Sequence, residues 1–211
     1  REASVEALAA DRVRLHLRAG RREPASTLVA EDRTFTPSPD RPLLGAIELG
    51  VAASLAEPRG LCVGGRVQLP FVATEHAGHL ALRDGVVSIE AGAAVAPEVR
   101  EALQGVLVRH RGASTGWTDA AVLPRQVLAT TVDGRLLVVS GSLSGDELAA
   151  LLGDLGAAEA LLFERASGAA HWTGDEGLRD AWPESAVFIE GVPAASPVMR
   201  LEGWLRGQRG A

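Results

Sequence analysis

The sequence contains no lysine, no asparagine and no tyrosine, only one cysteine, and few aromatic residues. Each shortage excludes something. One cysteine, Cys62 in "GLCVGG", makes no intramolecular disulfide and no zinc cluster, and it reads as a small buried hydrophobe. No run approaches the roughly 18 apolar residues of a membrane-spanning helix. All 21 lysine-or-arginine positions are arginine, and they are scattered along a chain of net charge -6. Without a basic cluster there is no footprint for nucleic acid, so nucleic acid is excluded as a partner. The absence of Lys, Asn and Tyr together reads as the codon bias of a GC-rich bacterial genome. The chain begins at Arg1 rather than Met, and we read it as a piece of a longer protein or a processed product.

What is present is a core-forming composition. Of 211 residues, 46% are hydrophobic but 4% aromatic, so the core must be built of Leu, Val and Ala, with four Trp and four Phe as local anchors. The length suits one domain. Residues 1–42 read as an N-terminal helix, strand and loop segment: a helix leads into "VRLHLRA", which alternates Val13, Leu15 and Leu17 with Arg14, His16 and Arg18. Residues 43–211 form the main body, and the two parts make one compact unit.

The main body is a series of short strand patterns separated by Gly-containing turns. Gly64-Gly65, Asp84-Gly85 and Asp133-Gly134 each divide two β-rich runs, as hairpin turns do. The helix signal is strongest just after the last of these. Ser144 with Glu147 forms a capping box, Leu148, Leu151, Leu152 and Leu155 recur at helical spacing, and Gly156 is placed to end the helix. "AALLF" then reads as a buried strand, and "SAVFIEG" as a last strand. The expected class is α+β, a mixed sheet of short strands and hairpins packed by a few helices.

Three short patterns bear on chemistry. His76 and His79 stand three apart in "EHAGH", but Gly78 and strand-like flanks spoil a shared metal site, and no third ligand is evident. "GASTG" around Ser114 fits a nucleophile elbow, which needs a strand before and a helix after; the run before Pro124 is too short for that helix. "EALLFERASGAAHW" brings an apolar run into a loop of small residues carrying Glu164, Arg165, Ser167, His171 and Trp172. These residues suit a ligand platform, or equally a solvated loop and a packed strand end. Trp117 suits a core or rim aromatic, or a sugar platform. No metal and no cofactor are expected.

The order of "PRQVLATTVDGRLLVVSGS", "LSGDELAALLGDLGAAEALLF" and "ERASGA" resembles the C-terminal half of the phosphodiester glycosidase family. That family reads as an arginine-bearing strand start, an Asp-Gly hairpin, a helix ending Leu-Gly-Ala, and a strand into Asp-Gly-Gly-Gly-Ser. Arg125 matches the family's arginine. Upstream, "AIELGVA" followed by "PRGLCVGGRVQLP" stands where the family has Asn-Gly-Gly-Phe-Phe and a Gly-Leu-x-Val-x-Gly strand. The resemblance covers roughly residues 43–195.

Both signature loops depart from the pattern. Asn-Gly-Gly-Phe-Phe has become Glu48-Leu49-Gly50-Val51-Ala52, and Asp-Gly-Gly-Gly-Ser has become Glu164-Arg165-Ala166-Ser167-Gly168. Consecutive glycines let backbone amides approach a phosphate or sugar; Arg165 and Ala166 bring Cβ atoms into that space. The resemblance therefore implies a retained fold without the family's activity: a binding or structural module whose partner is a protein or a glycan. The alternative is an active hydrolase with a rebuilt site in which Glu164 and Glu48 act as a carboxylate pair beside Arg125. The resemblance also implies an exported or cell-envelope setting.

Overall fold

A computed structural model describes residues 3–18, 21–22, 28–29, 43–48, 60–163, 170–172, 186–191 and 199–200. In chain order the strands are β1 (Ala3–Ala9), β2 (Val13–Arg18), β3 (Arg21–Arg22), β4 (Leu28–Val29), β5 (Leu43–Glu48), β6 (Leu61–Val63), β7 (Arg66–Leu69), β8 (Ala77–Arg83) and β9 (Val86–Ala91). They continue with β10 (Glu101–His110), β11 (Ala113–Ser114), β12 (Leu123–Thr131) and β13 (Arg135–Leu143). After α1 (Gly145–Asp154) come β14 (Ala157–Phe163), β15 (Ala170–Trp172), β16 (Ala186–Gly191) and β17 (Met199–Arg200).

This is a mainly-β protein, which corrects the α+β expectation. Among the described residues α1 is the one α-helix, accompanied by a single 3-10 turn at Ala10–Arg12. Every strand pairing among them is antiparallel. The clearest local reason is β1. "ASVEALA" has good helix formers in Ala, Glu and Leu, yet it is a strand because it is laid against β13 from Ala3↔Gly141 to Ala9↔Arg135, with Val5, Glu6, Ala7 and Leu8 all buried. Tertiary pairing overrides a weak propensity there.

The large sheet runs β17-β1-β13-β12-β14-β10-β6-β7. The longest strand, β10, takes β14 and β6 in succession along one edge, and β8 and β11 along the other. A second sheet has the order β15-β5-β16-β2. The inner face of the large sheet meets the second sheet through Leu128, Leu136, Val138, Leu161 and Phe163 on one side and Leu15, Ile47, Val187 and Ile189 on the other. The outer face is covered by α1, whose Leu148, Leu151 and Leu152 are buried against Val5, Val127, Ala129, Leu137, Val139 and Leu162, with Leu155 partly buried beside them. Alternation along each strand sends successive side chains to these two layers.

The helix and the hairpins form where local chemistry directs. Ser144 Oγ accepts from the Glu147 amide at 3.3 Å, and Glu147 Oε2 accepts from the Ser144 amide at 2.8 Å, so the capping box is complete. Asp84 and Gly85, with φ of 52° and 77°, make the β8–β9 turn in the left-handed region that two-residue hairpins need. β12 and β13 are joined through Val132, Asp133 and Gly134.

Candidate functional site

Arg125 lies near the start of β12, where the chain enters the large sheet beside α1. Its side chain falls on the outer face with Val127 and Ala129, whereas Gln126 and Leu128 fall on the inner face. Only 4% of its side chain is exposed. Nε donates to the Leu143 carbonyl at 2.7 Å, and Nη2 donates to the Ala121 carbonyl at 2.9 Å and to Asp119 Oδ2 at 2.7 Å. The Trp117 ring lies over the guanidinium, 5.0 Å from its carbon to the ring centroid. The hydrogen bond from Arg125 holds the Asp119 carboxyl below the usual carboxylate range, and the Ala121 amide adds to the effect.

Segments 49–59 and 164–169, which hold most of the two signature stretches, are bounded by described backbone. Phe163, the last residue of β14, pairs with Gln126. Ala170, the first residue of β15, pairs with Ile47, and Glu48 at the end of β5 pairs with Ala186. The chain therefore leaves the large sheet beside the start of β12 and enters the second sheet opposite the end of β5. His171 pairs with Ala46 and Trp172 with Gly45. Glu164, Arg165 and Ser167, and the side chains of Glu48, His171 and Trp172, lie outside the described residues.

The inner face at this end of the large sheet is polar, which the sequence reading missed. Ser4, Ser140, Gln126 and Phe163 form one cross-strand row, and Glu6 lies in the next row beside Val138 and Leu128. Glu6 and Gln126 are buried, and Ser140 Oγ is a buried hydroxyl oxygen with no hydrogen-bond partner among the described residues. The available signal was a charged residue inside "SVEALA" and a glutamine before the apolar run of β12; its meaning depended on pairing partners on other strands, for Glu6 more than a hundred residues away.

The remaining candidates settle into local roles. His79 is fully buried, with Nδ1 3.0 Å from the Gly92 carbonyl and Nε2 3.5 Å from Glu90 Oε2. Glu90 accepts from Arg83 at 2.6 Å and from Ser88 at 2.9 Å, and the Arg83 bond holds its carboxyl below the ordinary range. Ser114 ends a two-residue strand, not an elbow before a helix. Its Oγ accepts from the Gly116 amide at 3.3 Å. It pairs with Arg109, while His110 pairs with Ala113, so Ser114 and His110 face opposite sides of the ribbon. His110 Nδ1 instead meets Glu159 Oε2 at 2.8 Å. Cys62 is buried, and desolvation pushes its thiol up.

Two facing antiparallel sheets, with one capped helix on the outer layer, make up the described fold, and a solved structure is similar to it. The catalytic domain of zebrafish N-acetylglucosamine-1-phosphodiester alpha-N-acetylglucosaminidase, in a form auto-inhibited by its pro-peptide, is similar with a TM-score of 0.52 and 12% identity. The likeness covers 87% of this chain and 73% of that one. No family model matches the sequence, and no curated protein matches it. At this identity the likeness is one of fold.

Proposed function

We propose that the chain is a phosphodiester-glycosidase-like domain without glycosidase activity, serving as a binding or structural module. The observation that carries this reading is the state of Arg125. The residue that the resemblance sets at the family's arginine spends Nε and Nη2 on Leu143, Ala121 and Asp119 and lies under Trp117. It fastens its own scaffold.

The loops support the same reading. Glu48 brings a carboxylate where the family has the asparagine of Asn-Gly-Gly-Phe-Phe, Glu164 keeps one where it has the aspartate of Asp-Gly-Gly-Gly-Ser, and Arg165 and Ala166 add bulk where it has glycines. The added carboxylate of Glu48 repels an anionic phosphodiester by about 1–4 kcal/mol at contact distance, depending on how much water separates them. Such a site favours a neutral or cationic group on a protein or glycan partner, with Arg165, Ser167, His171 and Trp172 as its contact residues.

The test is hydrolysis of a chromogenic N-acetylglucosamine phosphodiester by the purified chain, beside Glu164→Gln. We expect no turnover from either. Turnover that disappears in Glu164→Gln would overturn the proposal and establish a rebuilt hydrolase using Glu164, Glu48 and Arg125.

A further inference from the structure

Between β11 and β12 the chain crosses the entrance of α1 as a strap without regular structure over residues 115–122. Thr115 ties one end, its Oγ1 donating to the Leu107 carbonyl at 2.7 Å. The middle is gathered on one residue. The Asp119 carbonyl accepts from the Gly145 amide in the first turn of α1 at 2.6 Å. Its Oδ2 takes the Arg125 guanidinium, and its Oδ1 accepts from the Ala121 amide at 2.9 Å. Ala121 in turn accepts from the same Arg125 nitrogen.

A guanidinium with 4% of its side chain exposed needs a counter-charge, because an unpaired buried charge is costly. Here the counter-charge arrives on an irregular, largely exposed segment, and the Asp119 side chain itself keeps about a third of its surface in water. The positive end of α1 adds to the attraction. The guanidinium is thus embedded in the sheet, and the anion that answers it is carried from outside.

The geometry points to Asp119 as an internal latch: its carboxylate occupies an oxyanion position on Arg125, and a carboxylate or phosphate from another molecule that exchanges with it releases the strap. The tethered carboxylate acts at a high effective concentration, so the free anion competes poorly while Asp119 is intact. Removing Asp119 leaves the position open to small oxyanions. This inference stands on the Arg125–Asp119 contact and does not depend on the absence of glycosidase activity.

The experiment is chemical rescue. The thermal midpoint of Asp119→Ala is measured in acetate, inorganic phosphate and chloride at matched ionic strength, beside the unmodified chain. We expect Asp119→Ala to melt lower than the unmodified chain. We expect acetate or phosphate, at about five times its Kd, to raise that midpoint by about 2–4 °C over chloride. The unmodified chain should show no such rise in midpoint, but faster amide exchange over residues 116–122 in the rescuing salt than in chloride; unchanged exchange there would overturn the release. Rescue by acetate alone assigns a carboxylate source, by phosphate alone a phosphate source, and by both a general oxyanion site. If Asp119→Ala does not stay folded, the fraction refolded in each salt makes the same comparison. Equal effects of all three salts, or rescue that persists in Asp119→Ala/Arg125→Met, would overturn the latch.

Discussion

The two faces of the large sheet are finished differently. On the outer face, under α1, the polar groups are answered close to home: Ser144 and Glu147 cap each other, and Arg125 binds Leu143, Ala121 and Asp119. On the inner face the apolar packing gives way at one end to Ser4, Glu6, Gln126 and Ser140, where Ser140 Oγ has no partner among the described residues. That end is also where β14 finishes, with Phe163 paired to Gln126. The difference teaches how each face is assembled: the outer face answers its polar groups within short stretches of chain, whereas the inner end gathers them from strands distant in sequence.

The largest effects come from the apolar centres of the two faces. Phe163→Ala, between the sheets, should cost about 3–5 kcal/mol, and Leu152→Ala, under α1, about 2–5 kcal/mol. Denaturant midpoints measure both. A Phe163→Ala cost under 1 kcal/mol would mean that the inter-sheet core is not the shared centre of the two sheets.

Gly145→Ala probes the strap on the outer face. A Cβ there would lie 2.5 Å from the Asp119 nitrogen and 3.0 Å from its oxygen, both backbone atoms that cannot swing aside. The cost should be about 1–3 kcal/mol, as for overpacking elsewhere. Faster amide exchange over residues 116–122 in this variant would locate the damage in the strap; unchanged exchange would break the link between α1 and the strap.

Acid should loosen both the strap and the β8–β9 hairpin. The folded chain holds Asp119 and Glu90 below their ordinary values, through Arg125 and Arg83 respectively. The stability these carboxylates contribute is therefore complete above their unfolded values of about 3.9 and 4.3, and is lost as pH falls through the lower folded values. Denaturant midpoints recorded from about pH 6 down to about pH 3 should fall less steeply in Asp119→Asn and in Arg83→Ala than in the unmodified chain.

How much of this was legible in the sequence follows the same division. The helix was readable because Ser144, Glu147 and the four leucines lie within one short segment, and the hairpin at Asp84-Gly85 because its turn is two residues long. β1 was not readable, since "ASVEALA" becomes a strand only against β13. The α+β expectation failed for that reason: local propensity suggested more helix than pairing allows. For the candidate site, Arg125 was found, but its partner Asp119 was not, because the contact needs the strap to fold back over the first turn of α1. The polar row of Ser4, Ser140 and Gln126 joins three strands, and a single sequence carries no sign of their register. Glu164, Arg165 and Ser167 lie outside the described residues.

The finest comparison uses two serines four residues apart. Ser144 caps α1, and Ser144→Ala removes the acceptor for the Glu147 amide, which should cost about 1 kcal/mol. Ser140 stands in the inner row opposite Ser4 and Gln126, and its buried hydroxyl has no hydrogen-bond partner among the described residues. A hydroxyl held from water without a partner carries its desolvation cost and returns no hydrogen bond. Ser140→Ala leaves the Cβ packing in place and removes only that oxygen. It should therefore be neutral or stabilising by up to about 1 kcal/mol. The same substitution thus has opposite signs on the two faces, read by denaturant midpoints at equal slope. Were Ser140→Ala to cost as much as Ser144→Ala, the hydroxyl would have a partner, and the inner end would be finished as fully as the outer face. A gain would make Ser140 a residue kept against stability, as groups are when they face something other than their own chain.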